Sequence, residues 1–99
     1  MEDRKPFAGK VVTVTGAAHG IGLATVHYLV ARGATVSMVD IAKSSALQKV
    51  EEKVLQDFPD ARISHKSVDV RDRKSVENWI EDTKEIFGRI DGCVNNAGK

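Results

Sequence analysis

Gly16, Gly20 and Gly22 fall within seven positions of the stretch VTGAAHGIG (14–22), and an acid, Asp40, lies eighteen residues beyond the last of them. Glycine lets a chain turn tightly and leaves backbone N–H groups uncovered. A helix starting at such a turn adds the positive end of its dipole. Together these features bind a pyrophosphate. An acid at the tip of the following strand accepts hydrogen bonds from a ribose. The chemistry is therefore recognition of a dinucleotide. A glycine-rich turn without a ligand is the plain alternative, and the placement of Asp40 counts against it. The spacing Gly-x-x-x-Gly-x-Gly differs from Gly-x-Gly-x-x-Gly but uses the same physics. A phosphate loop of the nucleotide-triphosphatase kind needs a lysine directly after its last glycine. Ile21 follows Gly20 and Leu23 follows Gly22, so that fold is set aside.

These residues need strands and helices to position them. Val11–Thr15 is short and β-branched, which predicts a buried strand. Residues 21–32 read as a helix with Ile21, Ala24, Tyr28 and Leu29 inward, capped by Gly33. Residues 34–40 predict a second buried strand ending at Asp40. Ser44 or Ser45 is expected to cap the next helix, with Leu47, Val50, Val54 and Phe58 as its buried stripe. Residues 62–70 read as a third strand and 72–87 as a third helix, with Val76, Trp79, Ile80, Thr83 and Phe87 inward and Gly88 at its end. Residues 90–96 form the fourth strand, in which Cys93 is expected to be a small buried hydrophobe. The order β-α-β-α-β-α-β is that of an α/β fold, a doubly wound parallel sheet covered by helices. Residues 1–99 read as one domain, a size within the ordinary range.

Bulk properties exclude other classes. The net charge is +1, so nothing favours nucleic acid or an anionic membrane as partner. A single cysteine rules out an intrachain disulfide. The start, MEDRKPFAGK, lacks an apolar core, and no run reaches the roughly 20 apolar residues of a membrane span. A cytoplasmic location is expected. His19, His27 and His65 have no metal-ligand spacing, so no metal is expected.

Three stretches in order, TGAAHGIG (15–22), the pair Asp69–Val70 and NNAG (95–98), resemble the signatures of the short-chain dehydrogenases/reductases. The resemblance covers residues 7–98. It implies the amino-terminal, cofactor-binding half of a Rossmann-type sheet with strand order 3-2-1-4, and a nicotinamide cofactor. Carried over position by position, it implies that Gly16, Gly20, Ile21 and Gly22 border the pyrophosphate, that His19 borders the cofactor at the loop position where NADP-using relatives often carry Arg or Lys, and that Asp40 holds the adenosine ribose. Asp69 and the Val70 backbone then meet the adenine amine. Asn95, Ala97 and Gly98 run beside the cofactor, with Asn95 also bracing the central strands. A carboxylate at position 40 favours the free 2′-hydroxyl of NAD over the 2′-phosphate of NADP. Neither His19 nor Ile41 supplies the permanent cation that a 2′-phosphate needs, and Lys43 is the one nearby base.

In function the chain thus resembles an NAD(P)-dependent oxidoreductase that moves hydride between nicotinamide and a carbonyl or alcohol. The resemblance also implies a catalytic tyrosine with a lysine four residues on. Tyr28 is the single tyrosine, and Arg32 stands four positions after it, so no catalytic residue is assigned. Lys99 departs from the apolar residue that usually follows NNAG. These 99 residues alone are expected to be inactive, which keeps open a second reading, a dinucleotide-binding fragment without catalysis.

Overall fold

The computed structural model describes residues 5–18 and 20–96. Four strands, β1 (Val11–Thr15), β2 (Thr35–Asp40), β3 (Ile63–Ser67) and β4 (Gly92–Asn95), alternate with three helices, α1 (Gly20–Ala31), α2 (Ser44–Asp57) and α3 (Arg73–Phe87). The sheet is parallel throughout, in the order β3-β2-β1-β4. The chain winds outward from β1 to β3 and then crosses back to β4. The direction of winding therefore reverses between β1 and β4, the place where such sheets bind ligands.

Alternation along the strands sorts two faces. Val14, Val36 and Met38 pack with Val26, Leu29 and Val30 of α1 and Val54 of α2, with Val12, Ile63 and Val94 at the margin. On the other face Val39, Val68 and Trp79 of α3 form a smaller cluster, with Val76 and Ile80 packed against it. That face also carries a buried polar ring. The Trp79 Nε1–H donates to Ser37 Oγ (2.8 Å), and the Thr83 hydroxyl donates to the Trp79 carbonyl (2.8 Å). With the Thr83 proton used in this way, Ser37 donates to Thr83 Oγ1 (3.1 Å). Every proton in the ring has an acceptor, which is the condition for burying polar groups without cost.

The helix that begins at Gly20 shows a different face from the one expected. Gly22, Val26, Leu29 and Val30 are buried, whereas Ala24 is exposed and Ile21 and Tyr28 are 76% and 52% exposed. Apolar residues surround most of this helix, so periodicity does not single out one stripe. Tyr28 stacks under the Arg32 guanidinium at 3.6 Å instead of packing on the sheet. Leu47 and Val54 of α2 and Trp79 and Thr83 of α3 are buried as the spacing requires.

The N-cap of α2 is Lys43, without a side-chain bond, and not Ser44 or Ser45. The reason lies upstream: Asp40 Oδ1 accepts the Ala42 N–H (3.0 Å) and closes a short turn that starts the helix earlier. For α3, Asp72 accepts from the N–H groups of Lys74 and Ser75, and Gly88 closes the helix at φ 84°. The third strand ends at Ser67, short of residue 70, and one further ladder bond joins Val68 N–H to the Asp40 carbonyl (2.9 Å). Cys93 is exposed, not buried. It lies on an edge strand, and alternation turns Val94, not Cys93, toward α1.

The start of β4 is pinned by a carboxylate. Asp91 Oδ2 accepts the Val11 N–H (2.8 Å), and the Arg89 guanidinium grips both oxygens. The Arg89 hydrogen bonds and the Val11 N–H hold the Asp91 carboxyl below its usual range. A lowered folded-state pKa adds stability above the ordinary value of 3.8, and that stability is lost as pH falls below it. Asp91→Asn is therefore expected to destabilise at pH 7 and to make little difference at the acid end of a urea-unfolding series. An equal effect at both ends would contradict the assignment. Ser37→Ala orphans the Trp79 N–H and is expected to cost about 1–3 kcal/mol in the same experiment, the scale of a buried unsatisfied donor. A cost below about 0.5 kcal/mol would show that water replaces the hydroxyl.

Candidate dinucleotide site

The carboxyl ends of the four strands meet at one edge of the sheet. Thr15 is in register with Val39 and with Asn95, and Asp40 with Ser67. The loop after β1 leaves this edge in a left-handed step. Gly16 has φ 64° and Gly20 has φ 65°, conformations that residues with a Cβ rarely adopt. Gly22 has a separate requirement. A Cβ there would stand 1.8 Å from the Gly16 carbonyl oxygen and 3.1 Å from Ala17 Cα. The first turn of α1 therefore sits directly against the loop, and this contact fixes the rotation of the helix. A Cβ at Gly20 would meet nothing within 4 Å, so the loop presents open space there.

Asp40 is 8% exposed and grips two segments. Its Oδ2 accepts the Ala18 N–H of the loop (2.9 Å), and its Oδ1 accepts the Ala42 N–H. The loop is also joined to β2 by Ala17 N–H to the Val39 carbonyl (3.1 Å). A carboxylate has about four acceptor positions, so about two stay free for hydroxyl donors.

Asp69 stands beyond the end of β3 and is engaged by Arg71. Its Oδ1 accepts the Arg71 backbone N–H (3.0 Å) and Nε–H (2.9 Å), and its Oδ2 accepts from the terminal nitrogen (2.7 Å). Hydrogen bonds from the Arg71 side chain, then from its backbone, lower the Asp69 carboxyl to about 2. Val70, half-buried, follows it. At the end of β4, Thr15 Oγ1 donates to Asn95 Oδ1 (2.8 Å) and accepts the Asn96 N–H (2.9 Å), tying β1 to β4. The side-chain Nδ2 of Asn96 is buried without a partner among the described residues.

Of the residues singled out in the sequence, Gly16, Gly20, Ile21, Gly22, Asp40, Asp69, Val70 and Asn95 are brought to this one edge. His19, Ala97 and Gly98 lie outside the described residues. Sequence reasoning missed Ala18, Arg71 and Asn96. Ala18 contributes a backbone group, which no residue type signals. Arg71 stands two residues after an acid, which is the sequence signal for the pair. A cavity of about 500 Å³ opens at the opposite end of the sheet, among Lys5, Gly33, Thr35, Phe58 and Arg62. Its charged side chains, Lys5, Asp57, Asp60 and Arg62, are all exposed, whereas the strand ends hold the buried carboxylate of Asp40, so the strand-end site is the better candidate. Among the described residues no three metal-binding side chains gather, and no helix is long and apolar enough to cross a membrane.

The model of the short chain dehydrogenase family matches residues 10–99. The chain belongs to that family. It is 44% identical over 92 residues to levodione reductase of Leifsonia aquatica, covering 93% of this chain and 34% of that protein. NAD+-bound xylitol dehydrogenase superposes with a TM-score of 0.87 at 35% identity, covering 96% of this chain and 35% of the other. Carveol dehydrogenase from Mycobacterium avium in complex with NAD gives 0.85 at 30% identity, covering 97% and 38%. The chain thus spans about a third of the length of the curated relatives it matches.

Two measurements follow from the site geometry. Gly22→Ala is expected to destabilise the fold by about 3 kcal/mol, the upper range of overpacking; a cost under about 1 kcal/mol would show that helix and loop separate easily. The Asp69 carboxyl, followed by carbon NMR, is expected to titrate near pH 2, and Arg71→Ala is expected to return it toward 3.8. An unchanged midpoint would show that Arg71 does not grip it.

Proposed function

We propose that this edge holds the adenosine end of a nicotinamide dinucleotide, NAD in preference to NADP, for hydride exchange with a carbonyl or alcohol substrate. The observation that carries the reading is Asp40, a nearly buried carboxylate held by two backbone N–H groups with acceptor capacity to spare. Two vicinal hydroxyls of an adenosine ribose suit that capacity. A 2′-phosphate does not, because it brings a second negative charge to a carboxylate already fixed in place. Xylitol dehydrogenase and carveol dehydrogenase, both solved with NAD, support the same choice.

Each residue then has a task. Gly16, His19, Gly20, Ile21 and Gly22 offer backbone N–H groups and the start of α1 to the pyrophosphate. Asp69 and Val70 take the adenine edge, where the exocyclic amine shares the Asp69 carboxylate with Arg71. Asn95, Ala97 and Gly98 line the path toward the nicotinamide, and Thr15 holds Asn95 in position. When bound, the cofactor supplies the carbon that accepts or donates hydride. The residues of this chain bind and orient it. Proton transfer to or from substrate needs a positioned acid/base, and Tyr28, stacked under Arg32 on the outer side of α1, is not one. These 99 residues bind, and by themselves do not turn over substrate.

Calorimetric titration with NAD, NADP and ADP-ribose tests the reading. NAD and ADP-ribose are expected to bind alike and weakly, with NADP weaker still. Asp40→Ala is expected to bring NAD and NADP together in affinity. No binding of any of the three, or turnover of an alcohol by this chain, would overturn the proposal.

A further inference from the structure

The same carboxylate does something that a ribose contact alone does not explain. Asp40 reaches back twenty-two residues along the chain to accept the Ala18 N–H, in the middle of the loop that the pyrophosphate needs. Next to it, Ala17 N–H is fixed on the Val39 carbonyl, so the first half of the loop is fastened to the end of β2 at two successive peptides. On its other side Gly22 rests against the Gly16 carbonyl. The two left-handed glycines, Gly16 and Gly20, flank Ala18 and are the positions at which the loop can change direction.

We infer that Asp40 is a positioning residue for phosphate binding: through Ala18 it holds the glycine loop in the shape that presents its N–H groups to the pyrophosphate. The inference rests on the dinucleotide reading above. It adds that Asp40 contributes to affinity even for a ligand without ribose hydroxyls. Charge alone gives the opposite sign. Removing a carboxylate near a pyrophosphate relieves repulsion and tightens binding. Releasing the loop weakens binding. The sign of the change therefore separates the two roles. A practical consequence follows for cofactor preference. Replacing Asp40 to admit a 2′-phosphate also frees the loop, so NADP gains less in absolute affinity than it gains relative to NAD.

The probe is 2′,3′-dideoxy-ADP, which keeps adenine and pyrophosphate and lacks both hydroxyls, titrated into this chain and its Asp40→Ala and Asp40→Asn variants. Asp40→Ala is expected to bind it about tenfold or more weakly, the scale of one lost charge-assisted hydrogen bond. Asp40→Asn keeps one acceptor oxygen and is expected to fall between wild type and Asp40→Ala. Unchanged or tighter binding by both variants would overturn the positioning role while leaving the ribose role intact. If the wild type binds ADP no better than buffer, the dinucleotide reading fails instead. Hydrogen exchange of the Ala18 amide then decides the loop contact separately. It is expected to be slow in the wild type and faster in Asp40→Ala by a larger factor than the strand amides of Val36 and Met38; an equal factor at all of these amides would overturn it. Should Asp40→Ala not fold, Asp40→Asn carries both comparisons.

Discussion

The contact between Gly22 and the Gly16 carbonyl is the constraint on which the rest of the site depends. No side chain fits there, so the first turn of α1 closes onto the end of β1 with backbone against backbone. That closeness brings the positive end of the helix to the strand ends and fixes which residues of α1 meet the sheet. Gly22, Val26, Leu29 and Val30 are inward because Gly22 must be. It also fixes the height of the loop, which places Ala18 within reach of Asp40. One glycine thus sets a helix phase, a loop shape and a carboxylate contact.

The two faces of the sheet are held by different means. Toward α1 and α2 the packing is apolar and continuous. Toward α3 the apolar cluster is small, and the Ser37–Thr83–Trp79 ring supplies direction as well as stability. β4 hangs on β1 by its ladder and by side chains at each end, Asp91 on Val11 N–H below and Thr15 on Asn95 above. These end contacts suit an edge strand, which has one neighbour in place of two. They keep Asn95 level with Thr15 and Val39, one residue short of Asp40, at the strand ends.

The strand order and the alternation of helices were legible because short β-branched runs and glycine stops punctuate the sequence clearly. The family was legible because TGAAHGIG, Asp69–Val70 and NNAG occur in order. The inward face of α1 was not, because its apolar residues surround the helix and the deciding contact is made by a glycine without a side chain. The cap of α2 was missed because Asp40, twenty-two residues after Ala18 and four before Ser44, closes the turn ahead of the serines. Cys93 looked buried because its strand is apolar; on an edge strand alternation decides otherwise. Arg71 carries no motif of its own, yet it takes the carboxylate expected to face adenine.

The central claim is the place of binding, at the carboxyl ends of the strands and around Asp40. Amide shifts recorded while ADP-ribose is added test it most directly. The shifts are expected to concentrate at residues 16–22, at Ile41 and Ala42, and at residues 69–71. Shifts concentrated instead at residues 5–9 and 57–62, around the cavity at the opposite end of the sheet, would contradict it.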